Sequence, residues 1–517
     1  MHAAGTSSHT NTPRQLAIRP EVHADALAEI GIDEGVLDHA IESHRAVRAP
    51  RLRRLWSYYR NDAQTVVSAD RDAPLRVRLA QECGLPERLR KRSADVDDRA
   101  ESRREVVIEN DIGWRVDTMV DFMFGKPIVL SSTAEDESQR RLIERVLDAA
   151  WEASGGIALL QDIALLGHVY GSVDLVLRVD ERLAAAIAAG GGVDVEDEAR
   201  LIDLASRLVR VEVVEPTRAV PIQDDRDYRQ VRGFAIHHER ELNEMKPRSL
   251  GDIARGVSAA RRRRVSTELI TPTRRRLYED GKLVAESLMR FTGGVLPMVH
   301  IQNLSQPFRY DGLSEVEALI PLQDELNTRL SDRASRVTLQ SFRMYLAKGI
   351  DGFDRAPIGP GQVWVTDNPD AEIVAFGGDG LTPSEDAHVL EVREAMDKTS
   401  GVPPLASGVV RAKIGNLSSA NALRITLMGV LSKTARKRVT YGRGLIEMSR
   451  LMLAAFDAAG VVRTDASERG LRIEWPDPLP VDVREQVASA RAKRELGVPD
   501  ERVLAELGYA ATDPGIV

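Results

Sequence analysis

The segment between Asp397 and Glu447 carries nine lysines or arginines and not one aspartate or glutamate. The whole chain of 517 residues, by contrast, has 79 acidic and 71 basic residues and a formal net charge of -8. Lysine and arginine side chains pair with phosphate groups, and such contacts hold a nucleic acid without reading its sequence. The segment therefore has the chemistry to touch a polyanion.

The cations of this segment fall on two kinds of predicted structure. Arg411 and Lys413 lie in the Gly-, Ser- and Asn-rich stretch SGVVRAKIGNLSS, which joins two predicted helices. A long helix then follows from about Ser419, with Ser418 or Ser419 as its N-cap. Its cations are Arg424, Lys433, Arg436, Lys437 and Arg438. Most charge runs are solvated faces, but two cations placed in a loop favour a binding role.

The segment before the basic one is acidic. Residues 311–398 contain 17 acidic and 8 basic residues. Apolar residues recur at helical spacing in 312–342, where Pro321 is expected to kink or delay the helix. A second helical pattern follows at 385–400, and the Gly-, Pro- and Asp-rich residues 343–384 between the two predict strands and turns.

The rest of the chain predicts an α+β protein. Residues 22–124 are mostly helical in pattern, and a strand (KPIVLSS) and two helices follow. Short β-rich runs dominate 170–301, where Asp280-Gly281 predicts a hairpin turn. The C-terminal part contains a predicted strand, LRIEWPD, and a final helix, DERVLAELGY.

Several classes of function lack their sequence signatures. There is no phosphate-binding GxxxxGK[ST] loop and no GxSxG motif, and His237-His238 has no second histidine at metalloprotease spacing. Cys83 is the single cysteine, so neither a disulfide nor a cysteine metal site can form within one chain. No apolar run is long enough for a membrane helix. We expect no enzyme activity, no cofactor, no metal and no membrane contact.

The order of the predicted elements resembles the portal proteins of tailed bacteriophages, in the branch typified by Bacillus siphophage portals. The resemblance rests on IENDIGWRVDTMVDFMFGKPI (108–128), on PMVHIQN followed by GLSEVEALIPLQDELNTRLSD (297–332), and on SGVPPLASG and SSANALR. It spans residues 50–510. The fold that it implies is the α+β portal fold, with a flexible tail (1–20), a helical and β wing (21–311, with the β-rich region at 170–301), two stem helices (312–342 and 385–403), a clip (343–384), a tunnel loop (404–418), a long kinked wing helix (419–459) and a helical crown (460–517).

The resemblance also implies a function and partners. A ring of copies, twelve in the virion, would form the channel through which double-stranded DNA is packaged and ejected at one capsid vertex. The implied partners are the large terminase subunit, a head–tail adaptor, the major capsid protein and a scaffolding protein. The protein would be assembled in the host cytoplasm and reside in the virion. The acidic stem would repel phosphate and keep DNA from sticking to the channel.

Three groups of residues then become candidates for the functional sites. The tunnel loop would contact DNA through Arg411, Lys413, Asn416 and Ser418. The helix cations Arg424, Lys433, Arg436 and Lys437 would line the channel or a subunit interface. Terminase and adaptor docking would use the clip residues Asp351, Asp354, Arg355, Asp367 and Asp370.

Two other hypotheses remain open at this point. The chain could be another head–tail or minor head protein, although those are usually shorter and lack the order helix, strand clip, helix, loop and long helix. It could also be a DNA-processing enzyme with a basic groove. An electron micrograph separates them, because a ring with a central channel supports the portal and a monomer that cuts or joins DNA contradicts it.

Overall fold

The structure is a computed structural model. It describes residues 32–66, 76–90, 105–191, 197–224, 226–227, 230–242, 262–341, 344–349, 367–376, 383–408, 420–479 and 483–507. The predicted flexible tail, residues 1–20, lies outside these ranges. Among the described residues, no helix is both long enough and apolar enough to cross a membrane.

The N-terminal part is mostly helical, as predicted. Helix α1 (Glu34–Ser43) begins at Asp33, whose carboxylate accepts a hydrogen bond from the Val36 amide, and it runs through a π-helical turn into α2 (Ala49–Arg60). The antiparallel pairing of the two strands that follow was not predicted from the sequence. The later elements are β1 (Ala63–Val66), β2 (Arg76–Leu79), α3 (Glu87–Arg90) and α4 (Asp111–Phe124).

The predicted strand and two helices come next. Strand β3 (Val129–Ser132) leads to α5 (Glu137–Ser154) and α6 (Gly156–Tyr170). Gly155 and Gly156 both have positive φ, and this pair of glycines turns the chain sharply between the two helices.

Residues 170–301 form the predicted β-rich region, which also includes two helices. Its elements are β4 (Ser172–Val179), α7 (Glu181–Ala189), α8 (Glu198–Leu208), β5 (Val209–Val214), β6 (Ala219–Gln223), β7 (Val231–Leu242), β8 (Arg262–Ile270), β9 (Arg274–Glu279), β10 (Lys282–Leu288) and β11 (Met298–Gln302). Five strands form one antiparallel sheet in the order β10-β9-β8-β7-β6, and three form another in the order β11-β4-β5. The predicted turn at Asp280-Gly281 joins β9 to β10, and both of its residues have positive φ.

The two helices predicted around residues 312–400 are present, with a small hairpin between them. A 3-10 turn (Glu317–Leu319) leads into α9 (Ile320–Ser341). Pro321 lies in the first turn of α9, where a missing amide hydrogen costs nothing, so it delays the helix as predicted. Strands β12 (Met344–Lys348) and β13 (Glu372–Phe376) pair antiparallel, and α10 (Pro383–Ser400) follows.

The predicted long helix is broken near its start. Helix α11 (Ala420–Thr426) is separated from α12 (Met428–Ala459) by Leu427, and Gly460, with φ 75°, ends α12. The predicted strand LRIEWPD forms β14 (Leu471–Glu474), which pairs with β3. The described chain ends with α13 (Val483–Glu495) and α14 (Asp500–Glu506).

The two largest of five apolar clusters in the described part of the chain hold most of these elements together. The larger one packs α5, α6 and the three-stranded sheet around the second half of α12, with Leu445, Met448 and Phe456 at its centre. The other packs α2 and α4 against α9 and α10, through residues such as Leu52 and Met396. The first half of α12 therefore lies between the three-stranded sheet and the ends of two other helices, the N-terminal end of α9 and the C-terminal end of α10.

We expect Gly171, at the start of β4, to tolerate no side chain. Its φ is +92°, and a Cβ there would lie 2.4 Å from the Gly312 carbonyl oxygen and 2.9 Å from the Ser314 nitrogen. Gly171→Ala should lower the free energy of unfolding by more than about 1–2 kcal/mol, the cost of the strained backbone alone. The additional loss arises because the turn after β11 must also shift. Gly191→Ala is the matched control, since Gly191 has φ +84° but no heavy atom near a Cβ. Urea denaturation measures both, and equal losses in the free energy of unfolding would contradict the expectation.

Candidate functional site

A buried carboxylate lies where the turn before α9 meets α12. Lys437 Nζ is 2.8 Å from Glu315 Oε1, and Lys433 Nζ pairs with Glu315 Oε2. The Glu315 and Lys437 side chains are buried. The lysines are four residues apart on one face of α12, so one carboxylate can reach both.

Backbone hydrogen bonds fix the position of Glu315. The Glu315 amide donates to the His168 carbonyl oxygen at 2.8 Å, and Ser314 Oγ donates to the Val169 carbonyl oxygen at 2.6 Å. Ser314 Oγ also accepts from the amides of Val316 and Glu317, which begins the 3-10 turn. The turn before α9 is thus attached to the end of α6.

The charges of this cluster follow from its burial. Burial alone would raise the pKa of Glu315, but Lys437 and Lys433 outweigh it and lower that pKa to about 2. Burial lowers the pKa of Lys437 to about 8, although Glu315 acts in the opposite direction. Burial and the nearby Lys437 lower the pKa of His168 well below its ordinary value, so this imidazole is neutral. At neutral pH one carboxylate therefore faces two ammonium groups.

The cluster also contacts the residues that lead into the basic loop, which we define as residues 404–418. Lys433 Nζ donates to the carbonyl oxygen of Ser400, the last residue of α10, at 2.7 Å. Val402, just after α10, packs with Leu427 and Val430 against Met119 of α4. Both flanks of the loop are therefore fixed to the same part of the molecule.

A second ionic cluster lies four residues earlier on the same turn. Asp311 pairs with Arg48 of the π-helical turn at 2.8 Å and accepts a hydrogen bond from Ser172 Oγ at 3.0 Å. Burial opposes ionisation of Asp311, but Arg48 lowers its pKa below the ordinary value. Arg51 of α2 pairs with Glu317 at 2.6 Å. The turn from Asp311 to Glu317 is thus held by two arginines near the N-terminus, Arg48 and Arg51, and by the two lysines of α12.

The structure corrects the prediction for two of the helix cations. Lys437 is completely buried and pairs with Glu315 of its own chain, so the prediction that it lines a channel or a subunit interface is wrong. Lys433 is largely buried and bonds to Glu315 and Ser400, so it too stabilises its own chain. Arg424 is exposed on α11 and pairs with Asp477 at 2.5 Å. Arg436 is exposed on α12 and forms no ion pair within the described part of the chain.

Most other predicted site residues fall outside the described structure or on its surface. The loop residues Arg411, Lys413, Asn416 and Ser418 lie outside the described ranges, as do Asp351, Asp354 and Arg355 of the predicted clip. Asp367 and Asp370 are exposed just before β13. Their turn is closed by Asn368 Nδ2, which donates to the Gly349 carbonyl oxygen at 3.0 Å.

The acidic residues of α9 and α10 are largely neutralised by basic side chains, which weakens the interpretation of these helices as a phosphate-repelling surface. Five of these acids pair with an arginine, in the pairs Arg329–Glu325, Arg88–Asp332, Arg336–Glu385, Arg333–Asp386 and Arg115–Asp397. Asp324 instead accepts a hydrogen bond from Tyr58. Glu391 lies only 3.8 Å from His388, and Glu394 forms no ion pair with a described residue.

Sequence reasoning missed Glu315, Ser400 and Asn303. Asn303 Nδ2 donates to the Leu313 carbonyl oxygen at 2.9 Å, and Tyr441 Oη donates to Asn303 Oδ1 at 3.2 Å. One signal was available for Glu315. Lys433 and Lys437 share a helix face in a segment without acids, so a buried position for them required a carboxylate from a distant part of the chain.

Comparison with known proteins gives one family. Residues 38–508 match the family model described as phage portal protein, SPP1 Gp6-like. No curated protein matches the sequence.

Two solved structures are similar to the chain. One is the virion of a native gene transfer agent particle, with 13% identity and a TM-score of 0.39 over 78% of this chain and 90% of that chain. The other is the neck of an empty gene transfer agent particle computed with C6 symmetry, with 13% identity and a TM-score of 0.40 over 78% and 91%.

Glu315→Gln should destabilise the chain strongly. The substitution leaves the buried Lys437 ammonium without its counter-ion, and breaking a buried pair in this way costs about 3–5 kcal/mol. Glu137→Gln is the matched control, because Glu137 forms an exposed pair with Arg141 on α5 and should cost at most about 0.5 kcal/mol. The free energy of unfolding in urea tests both variants, and a Glu315→Gln chain as stable as the control would contradict the role of the cluster.

The stabilisation by Glu315 should depend on pH. Its folded pKa of about 2 lies below the ordinary 4.5, so the unfolded chain binds the proton first as the pH falls. The contribution is therefore complete above about pH 4.5 and lost as the pH falls toward 2. The difference in unfolding free energy between the parent and Glu315→Gln should shrink across this window, whereas a constant difference would show that the ionised carboxylate is not what stabilises the fold.

Proposed function

The chain belongs to the family of SPP1-type phage portal proteins, and from this premise we propose that it forms the DNA channel of a capsid vertex, with the basic loop as its constriction. A portal protein is a ring-forming part of a capsid with head–tail partners, and its family is structural rather than enzymatic. In the proposed ring, each copy contributes one loop to a collar of cations around double-stranded DNA.

The observation that carries this proposal is the anchoring of the basic loop. Lys433 bonds to Ser400 and to the buried Glu315, so the two helices that flank the loop are held together below it. Lys433 and Lys437 are occupied by Glu315, so we propose Arg411 and Lys413, which lie in the loop itself, as the cations that contact DNA. In the proposed channel, the loop would contact the duplex while α10 and α12 keep their positions relative to each other.

Weak contacts suit this role. An exposed cation is screened at physiological ionic strength, where the Debye length is about 8 Å. Each phosphate contact is then brief, and the duplex can slide. Gly408, with φ 81°, stands at the start of the loop and allows a backbone turn that other residues avoid.

The observed elements support a division of the chain among the parts of a portal. We assign α9 and α10 to the stem, β12 and β13 to the base of the clip, and α11 and α12 to the kinked wing helix. The remaining N-terminal elements and the β-rich region belong to the wing, and residues 460–517 to the crown. The pairing of β12 with β13 brings together the two ends of residues 350–371, which connect these strands.

The clip is the proposed docking site for the terminase large subunit and later for a head–tail adaptor. Its candidate residues are Asp351, Asp354, Arg355, Asp367 and Asp370, of which the last two are exposed. The packaging motor is then a separate protein, so we propose that this chain hydrolyses no ATP. Contacts with the major capsid and scaffolding proteins would fall on the wing.

Electron microscopy of the purified protein tests the proposal directly. We expect the purified protein to form rings with a central channel. In the virion, we expect the ring to contain twelve copies. A protein that stays monomeric under assembly conditions and cuts or joins DNA would overturn the proposal in favour of a DNA-processing enzyme.

Reversing the charge of the loop should block DNA without disturbing the ring. We expect Arg411→Glu/Lys413→Glu to assemble normally and to lower DNA packaging or retention at least tenfold, because each copy would place two negative charges against the phosphates. Arg411→Lys/Lys413→Arg is the matched control, since it keeps both charges and should package like the parent. Packaging is measured as nuclease-protected DNA per assembled head. Normal packaging by the charge-reversed variant would remove the loop from the DNA path.

A further inference from the structure

One face of α12 is apolar and exposed over about four turns. Met428 and Val439 have 65% and 68% of their surface exposed, and Ser432, Ala435 and Arg443 are exposed on the same face. The spacing of three, four and seven residues places all five on one stripe. The opposite face is buried and includes Val430, Thr434, Lys437, Tyr441 and Leu445. We call the exposed set the α12 stripe.

The composition of the stripe is that of a contact surface. A solvent-facing helix usually carries charged or polar residues on its outer face. Here Met428 and Val439 flank the small side chains of Ser432 and Ala435 over about 16 Å of helix, at 1.5 Å per residue. Ile425 of α11, which is 65% exposed, adds a further apolar side chain ahead of the break at Leu427. Small residues allow another helix to approach closely, and the large apolar ones then become buried.

The charge of the stripe shows what kind of surface would cover it. Arg436 and Arg443 border the apolar residues, and neither forms an ion pair with a described residue. The chain from Thr399 to Ile446 contains no acid. The first acid after this run, Glu447, lies four residues beyond Arg443, so a partner surface with carboxylates beside apolar side chains would complement both the arginines and the apolar residues.

The chain itself carries such a surface on α10. Leu390 is 51% exposed and lies between Ala387 and Glu394 at helical spacing, with Glu391 beside it. Among the acids of α10, Glu391 and Glu394 are the two without an arginine or lysine partner in the described structure. We call this set the α10 face. It points away from the buried Val389, Val392 and Met396, which pack on α9 and its neighbours.

We propose that the α12 stripe of one copy packs against the α10 face of the next copy. The two faces differ, so the contact is heterologous and can close into a ring. The inference rests on the ring formation stated in the proposed function, and it adds the residues that make the contact. Apolar burial and two charge pairs, Arg436 and Arg443 with Glu391 and Glu394, would act together.

The observations favour a protein partner over DNA for this stripe. Arg436 and Arg443 could contact phosphates, but exposed methionine, valine and isoleucine gain nothing from a phosphate backbone, and contact with another protein would bury them. A DNA-contacting stripe would also leave Glu391 and Glu394 without partners.

Charge reversal on each face tests the contact. We expect Arg436→Glu/Arg443→Glu and Glu391→Arg/Glu394→Arg to fold normally, because all four side chains are on the surface, and each to lower the fraction of rings at least tenfold in sedimentation velocity. The variant with all four reversals should recover rings, since the complementary charges are restored. Leu283→Arg is the matched control, because Leu283 is an exposed apolar residue of β10, away from both faces.

Cysteine cross-linking locates the contact. In a Cys83→Ser background, Val439→Cys/Leu390→Cys should give a ladder of covalent oligomers on oxidation, and either cysteine alone should give none. Circular dichroism and thermal unfolding confirm that each variant is folded.

Three results would overturn the inference. Normal rings in both charge-reversed variants would show that the stripe lies outside the subunit contact. Normal rings with reduced DNA packaging by Arg436→Glu/Arg443→Glu would assign the stripe to DNA instead. A parent protein that forms no rings at all would overturn the proposed function itself, which is a distinct result from rings that tolerate the substitutions.

Discussion

The fold around the basic loop depends on one buried carboxylate. Glu315 joins the end of α6, the turn before α9 and the first half of α12, and through Lys433 it also holds the end of α10. An ionised group buried this deeply is costly unless it is paired and hydrogen-bonded. The requirement for two lysines four residues apart therefore constrains how α12 lies on the rest of the molecule. The apolar clusters on either side supply stability, whereas this pairing fixes the position of α12 relative to the turn before α9.

The charge contrast in the sequence is resolved first within the chain. The acidic helices α9 and α10 pair with arginines of α9 itself, of α4 and of the region near α3, and the basic α12 uses two of its lysines for Glu315. Charge runs that suggest binding surfaces thus become internal contacts. The exposed charges that remain on these two helices include Glu391 and Glu394 on α10 and Arg436 and Arg443 on α12.

Local patterns predicted much of the fold but not the ionic site. The Asp280-Gly281 turn, the delayed start at Pro321, helices α9 and α10 and the strand LRIEWPD depend on neighbours in sequence, so periodicity and turn residues were sufficient to predict them. The pairing of β1 with β2 was missed because the helical pattern of residues 22–124 was extended across these two short strands. Lys437 was placed on a surface because its partner, Glu315, is far away in sequence and carries no local signal. A helix cation with no nearby acid can be either exposed or buried, and only the tertiary structure decides.

The bond from Lys433 to the Ser400 carbonyl oxygen has a mechanical consequence. It joins the end of α10 to α12 at the base of the basic loop, and Glu315 continues the connection to the turn before α9. A pull on the loop along either helix would therefore be shared among three elements rather than peeling one of them from the body. Because these polar contacts would be loaded together in shear, the ends of α10 and α12 would resist such a pull better than contacts that open one at a time.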